Sequence, residues 1–383
     1  MSTYLFITGN HPYLSIAELY GRYPKADFQF NADGFVIMES DFEIDQAEFN
    51  RLGGSLKCAN ILYESGRDGL INAISELLLA HYKDTKLDYG LSIYGYPEKQ
   101  LRPILLELKK ELKKKEIKSR FINNEFQNIS AAQYKSIKGK GLEVIAAKTD
   151  NEFLIGETVG MQDIDFYSKR DYGKPFRDMQ MGMLPPKLAQ ILINLSGVDG
   201  KIWDPFCGSG TIIMEGLLMG KEMLGTDISE SRVEGAKRNI EWLKNEFDIK
   251  SDAELIVHDA TKLLDKKFDA IVFEGDLGIP HNKYIDPSKL EEVVDHLDEL
   301  YVRFFENLKT MKCNKPIVCA LPFLRTYNSG EVDLGKTIQK IEKMGFKRTP
   351  LLPDVIQKPD MFVLKYIRED QAVGRAIYRF QMI

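Results

Sequence analysis

At 383 residues, 44% hydrophobic and 28% charged, the chain is long enough for two or three domains with real cores and too apolar for a disordered one. A net charge of −5 excludes a uniformly basic nucleic-acid coat, although not a local basic face. Cys58, Cys207, Cys313 and Cys319 make no Cys-x-x-Cys pair and have no partnered histidines, which argues against a zinc site and a secreted disulfide framework and for a reducing compartment. The start MSTYLFITGN lacks a basic region before an apolar run, and no segment approaches roughly 18 uninterrupted apolar residues. A soluble, cytoplasmic protein with no membrane partner is expected.

Residues 1–50 carry short strand-like runs at Tyr4 to Thr8 and Gly34 to Glu39 around an amphipathic Ser15-to-Tyr20 segment, with eight acids against two bases. From Arg102 to Lys148 the balance reverses to twelve Lys or Arg against five Asp or Glu. A helix is predicted after Pro103, with Ile104, Leu105, Leu108 and Leu112 on one face. Lys109, Lys113, Lys114, Lys118 and Arg120 form one basic cluster on and after this helix, and Lys135, Lys138 and Lys140 form another in a Gly-containing loop. A lysine run alone reads as a solvated helix face; two clusters in one domain can form a groove for RNA.

The composition shifts after Asp171, and Pro185 and Pro186 suit the first turn of a helix running Lys187 to Leu195 and stopping at Gly197. From Lys201 the rhythm alternates. Strands are predicted at Lys201–Asp204, Glu222–Asp227, Glu254–His258, Phe268–Phe273 and Pro316–Leu321, with helices near 211–219, 230–247, 288–309 and 335–343. This alternation implies a parallel sheet covered on both faces, with Met361–Arg368 and Ala376–Met382 as an antiparallel edge.

WDPFCGSGT, residues 203–211, is the first turn after the first of these strands. Its acid argues against a phosphate site, since glycine turns opening a helix usually cradle anions. A dinucleotide fingerprint needs a third glycine where Ile213 stands, and no Gly-x4-Gly-Lys-Ser/Thr is present. A ligand with an ammonium group and no phosphate fits: Asp204 lies near the positive charge, while Gly208 and Gly210 admit close backbone approach. S-adenosylmethionine is such a ligand; Asp227, ending the second strand, suits its ribose hydroxyls and Asp259, after the third, its adenine.

DPFCGSGT resembles the cofactor loop of THUMP-containing RNA methyltransferases, in particular the tRNA guanine-N2 methyltransferases that modify guanosine 10. YLFITGNHPYLSIAEL, RDYGKPFRDMQMGMLPPKLAQILINLSG and YIREDQAVGRAIY are similar to further pieces of that family in the same order. The resemblance implies an α/β fold with a Rossmann-like class I methyltransferase domain preceded by an α+β ferredoxin-like and THUMP module. The expected division is a ferredoxin-like segment at 1–60, a THUMP-like RNA-binding domain at 61–165, a linker at 166–180 and the catalytic domain at 181–383. It also implies tRNA as partner and no metal, and it leaves open whether a small activating subunit is needed, as some relatives require. The expected cofactor contacts are Asp204, Phe206, Gly208, Gly210, Thr211, Asp227, Ile228, Asp259 and Ala260.

The family's catalytic tetrapeptide follows the fourth strand and runs Asp or Asn, Pro, Pro, then an aromatic. Here Glu274, Gly275, Asp276 and Leu277 stand there. An exocyclic amine needs a side-chain acceptor and a fixed backbone carbonyl for its hydrogens, and the aromatic stacks on the base. Glu274 is the expected acceptor and Asp276 a second polar contact, and two nearby carboxylates tend to raise one pKa. Tyr284 or Phe323 stands as a substitute stacking residue or as packing. Arg368, Asp370, Gln371 and Arg375 read as polar contacts around the final hairpin. Two other readings stay open: a DNA amino-methyltransferase, and an inactive RNA-binding protein that keeps the methyltransferase fold.

Overall fold

The computed structural model describes residues 1–383 except 32–33, 84, 124–126, 178–182, 279–286, 327–329, 357, 359 and 370, and without the side chains of 31, 98 and 287. The chain divides into two units, one of residues 1–12, 25–50 and 55–164, the other of 13–24, 51–54 and 165–383.

In the first unit, eight strands form one sheet: β1 Ser2–Thr8, β2 Asp27–Asn31, β3 Phe35–Ser40, β4 Ser55–Ser65, β5 Leu87–Tyr94, β6 Ser119–Phe121, β7 Gly141–Lys148 and β8 Phe153–Met161. Their order is β2-β3-β1-β4-β8-β7-β5-β6. β5 pairs in parallel with β6 and β7, and β7, β8, β4 and β1 pair antiparallel in turn. The division expected at residue 60 falls inside β4.

Period-two alternation sorts these strands into two layers. Tyr89, Leu91, Val144 and Ala146 meet Ile74, Leu77 and Leu78 of helix Leu70–Ala80 and Ile104, Leu105, Leu108 and Leu112 of helix Leu101–Lys114. The last four are the apolar stripe expected after Pro103. Ser92, Glu143 and Ile145, in the opposite phase, face the other layer, where Ile145 joins Leu5 and Ile7. Ser92 there accepts from the amide of Ile129, two residues before helix Ala131–Ile137. Lys57, Ser92 and Thr158 all donate to the buried Glu143 carboxylate, satisfying a charge that would otherwise be costly inside a sheet layer.

The second unit holds β9 Ile202–Asp204, β10 Met223–Asp227, β11 Ala253–Val257, β12 Ala270–Glu274, β13 Ile317–Arg325, β14 Glu331–Val332, β15 Phe346–Arg348, β16 Leu364–Tyr366 and β17 Val373–Met382. The order is β11-β10-β9-β12-β13-β17-β15, with β14 on β13 and β16 on β17. β9 to β13 run parallel and β17 antiparallel. Helices Leu290–Thr310 and Gly335–Lys343 cover one face through Tyr301, Phe304, Phe305, Ile338 and Ile341 against Trp203, Ile271, Phe273 and Ile317. Helices Pro186–Leu195, Thr211–Leu218 and Glu230–Phe247 pack on one another and on β9 to β13.

The expected antiparallel edge differs in place. β16 and β17 do pair, but β17 lies between β13 and β15, so the three-residue β15 forms the border. A strand that short carries no readable alternation. The strand order reverses between β9 and β12, which opens a crevice beyond their carboxyl ends.

Candidate active site

Because β9, β10 and β12 point the same way, their last residues, Asp204, Asp227 and Glu274, share one rim of the sheet. They line a cavity of about 330 Å³ together with Phe206, Gly208, Thr211, Ile228, Asp259, Ala260 and Asp276. Gly210 is not on its wall. It takes φ +83° as the cap of helix Thr211–Leu218, and a Cβ there would sit 3.1 Å from that of Ala236, so its role is the turn and the helix packing behind it.

The turn is tied down from two sides. The Cys207 amide donates to Thr226 O at 2.9 Å, and the Gly208 amide donates to Asp227 Oδ2 at 2.9 Å. Asp227 Oδ1 accepts from the Ser229 amide at 2.9 Å, so the carboxylate joins the end of β10 to the glycine loop. Asp259 Oδ1 accepts from the Thr261 amide at 2.9 Å and hydroxyl at 2.7 Å; burial pushes its pKa up, but these bonds outweigh that and lower it. Asp204 differs. It is 2% exposed, its one hydrogen bond among the described residues comes from the Phe206 amide at 3.2 Å, and it has no cation within ion-pair distance there. Burial, with the charges of Asp227 and Glu274 adding to it, pushes its carboxyl well above the usual range. A buried acid without a counter-charge on a cavity wall suits a cationic ligand group.

At the exit of β12 the structure changes what Glu274 is available for. Its Oε1 accepts from Nε of the buried Arg375 at 2.7 Å, and Arg375 Nη1 donates to Gln371 Oε1 at 3.3 Å. Glu274 is therefore half of an ion pair, with Oε2 left for a ligand; Arg375 reaches beyond the final hairpin to the site, and Gln371 braces it from within the hairpin. Arg368 donates to Tyr366 Oη at 3.1 Å, and Asp370 lies outside the described residues.

Gly275 also has a cause. A Cβ at this position would lie 2.1 Å from Tyr301 Oη, and that hydroxyl donates to Asp276 O at 2.7 Å. The Gly275 amide donates to Ala320 O at 3.0 Å, and Asp276 Oδ1 accepts from the Gly278 amide at 2.8 Å. These bonds pin the chain at the place where the family pattern described above has prolines. Asp276 Oδ2 lies 3.8 Å from His296 Nε2, so each of the two carboxylates has its own partner. Leu277 is buried against Leu324 and Val373, leaving no aromatic at that place. Phe323 is 1% exposed, packs on Gly374 and is absent from the cavity wall; Tyr284 lies outside the described residues. Among the described residues Phe206 is the one phenyl ring on the wall, 5.2 Å from Phe273 between ring centroids.

Residues 175–279 match the family model described as UPF0020, RMKL-like, methyltransferase domain. The matched stretch spans the glycine turn and the β12 exit. Among curated relatives, the tRNA (guanine(10)-N2)-dimethyltransferase of Methanothermobacter thermautotrophicus is 42% identical over 157 residues, 40% of this chain and 42% of that protein. The protein of the same name from Pyrococcus abyssi is 36% identical over 129 residues, 33% of this chain and 35% of that one. The chain thus spans well under two thirds of the length of the relatives it matches. In fold it resembles TrmN from Thermus thermophilus, with a TM-score of 0.50 at 15% identity and full coverage of both chains.

The eight basic residues expected to meet RNA are all exposed, but they do not share one surface. Lys109, Lys113 and Lys114 lie on helix Leu101–Lys114, on the Tyr89/Leu91 side of the sheet. Lys135 and Lys138, in and capping helix Ala131–Ile137, and Lys140 lie on the Ser92/Glu143 side. Arg120 shares the latter: its neighbour Phe121 packs with Tyr89, so Arg120 points the opposite way and pairs with Asp88. Lys118 precedes edge strand β6. The sheet itself separates the clusters, so a groove across one face does not form from both. Among the described residues no group of His, Cys, Asp and Glu is arranged to hold a metal, and no helix is long and apolar enough to cross a membrane.

Proposed function

We propose that the protein is an S-adenosylmethionine-dependent methyltransferase acting on the exocyclic N2 of a guanosine in tRNA. The observation that carries this reading is the buried, uncompensated Asp204 on the wall of a cavity that also reaches the β12 exit. The cofactor fits the residues present. Asp204 meets its cationic amino-acid end, Asp227 and Asp259 retain acceptor capacity for hydroxyl and amine donors, and a Cβ at Gly208 would meet nothing closer than 3.9 Å, leaving room for a ligand against the main chain. When bound, S-adenosylmethionine supplies an electrophilic methyl group. At the target, Glu274 Oε2, oriented by Arg375, accepts a hydrogen from the amine, and the pinned Gly275 carbonyl is a second acceptor. Asp276 Oδ2, beside His296, is the acceptor placed for the proton the amine sheds. No covalent enzyme step is needed; catalysis is by orientation.

The first unit serves in this reading as the THUMP-containing tRNA-binding module. The names of the curated relatives and the exposed basic residues support it. Phosphate contacts position without reading bases, so affinity falls steeply with salt. The test is incubation with unmodified tRNA and labelled cofactor, then nucleoside mass analysis, with duplex DNA in parallel. Label appearing as N2-methylguanosine is the expected result; label in DNA alone overturns the substrate. The Glu274–Arg375 pair favours one second reading, an RNA-binding platform without catalysis, which cofactor and tRNA binding with no methyl incorporation would establish.

A further inference from the structure

Lys174 stands apart from the other lysines of the second unit. It is 3% exposed, and its Nζ donates to Thr211 Oγ1 at 3.0 Å. Among the described residues that hydroxyl is its one acceptor, and no carboxylate lies within ion-pair distance. Glu215, one turn along the same helix, has both oxygens occupied by Arg170, at 2.8 and 3.0 Å. Asp171 and Glu215 do act on Lys174 from a distance, raising its pKa, while burial, the larger effect, and Arg177 lower it. A buried ammonium with one neutral acceptor is an incomplete arrangement.

Thr211 is the other half. It lines the cavity, is 7% exposed, and is the first residue of helix Thr211–Leu218. Because Lys174 donates to Oγ1, the hydroxyl hydrogen is free to be donated in turn, and among the described residues nothing accepts it. Donor hydroxyl, buried ammonium and helix N-terminus act in one direction, toward an anion. Asp204 on the same wall favours a cation. An α-amino acid group carries both charges.

We infer that Lys174 is a positioning residue which, through Thr211, builds the subsite for the α-carboxylate of the bound amino-acid nucleoside. The inference rests on the cofactor reading above. It also separates two ligands that differ in this one group: S-adenosylhomocysteine, and its decarboxylated analogue, which keeps the amine. Arg232 also lines the cavity, so removal of Lys174 tests whether the Lys174–Thr211 pair, and not Arg232 alone, reads the carboxylate.

Calorimetric titration of the full chain with both compounds decides the matter. Lys174→Met should weaken S-adenosylhomocysteine about 10-fold or more, the loss of one charge-assisted hydrogen bond, and leave the decarboxylated compound within about twofold. Thr211→Val should do the same without removing a buried charge, which keeps the test available if Lys174→Met does not fold, and Thr211→Ser should retain wild-type discrimination. A purely structural role would weaken both ligands equally; that result, or unchanged affinity for both, overturns the inference. Failure of the wild-type chain to bind either compound would instead overturn the cofactor reading.

Discussion

Glu215→Gln is the substitution whose cost follows most directly from the structure. Glu215 lies on helix Thr211–Leu218 and Arg170 on helix Ile164–Tyr172, both 1% exposed, joined by two hydrogen bonds. The guanidinium carbon lies 4.1 Å from the Phe166 ring centroid and 4.3 Å from that of Tyr167. Burial pushes the Glu215 carboxyl up, and the Arg170 charge holds it down. Removing the negative partner leaves a desolvated cation, a change worth about 3–5 kcal/mol. For a unit of this size that lowers the melting temperature by on the order of 10 °C. Differential scanning calorimetry measures it. The double variant Arg170→Met, Glu215→Leu should recover most of the loss, since an apolar pair of similar volume is tolerated in such sites. A loss under about 1 kcal/mol in the single variant, or a double variant no more stable than the single one, would refute the desolvation argument.

Three further outcomes are expected. Asp204 has a raised pKa without ligand, so a cationic partner should lower it. Binding of S-adenosylmethionine should then release protons and tighten as pH rises; calorimetry in buffers of differing ionisation heat checks this, and affinity that falls with pH contradicts it. Glu18, buried and accepting from the Gly53 and Gly54 amides and Asn194 Nδ2, has its carboxyl raised by burial from 4.5 to about 7. The folded state therefore holds that proton more tightly than the unfolded one. Its stabilising contribution, roughly 3 kcal/mol, is present below pH 4.5 and lost as pH rises through about 7. Denaturant titration of Glu18→Gln should show a flatter pH dependence across that window, and an unchanged slope would remove Glu18 as its source. Gly275→Ala drives a methyl into the Tyr301 hydroxyl and should cost about 1–3 kcal/mol; adding Tyr301→Phe should return part of it in thermal unfolding, whereas an additive loss would mean the hydroxyl is not the obstacle.

The second unit was largely legible because its strands are apolar runs bounded by turn residues, and each expected strand of the parallel set overlaps an observed one. The carboxylates at strand ends follow from the same reading, since parallel strands bring their last residues to one rim. Local pattern carries no information about partners far apart in sequence. Arg375 bonds Glu274 across 101 residues, and Lys174 bonds Thr211 across 37. Tyr301, which accounts for Gly275, is a buried residue of an apolar helix face whose hydroxyl finds Asp276 O only across 25 residues. In the first unit, β4 runs through the position where the family resemblance implied a boundary, and the two basic clusters fall largely on opposite sides of the sheet because crossover connections place helices on either face. Segments 13–24 and 51–54 belong to the second unit, through contacts such as Glu18 with Asn194 that no local pattern announces.

Titration of the wild-type chain and of Asp204→Asn with S-adenosylmethionine, and with a nicotinamide dinucleotide for comparison, bears most directly on the site. Binding of the sulfonium compound alone, weakened about 100-fold or more by the substitution as expected for an unpaired buried charge, is the predicted result. Equal binding by both proteins, or preference for the dinucleotide, would contradict it.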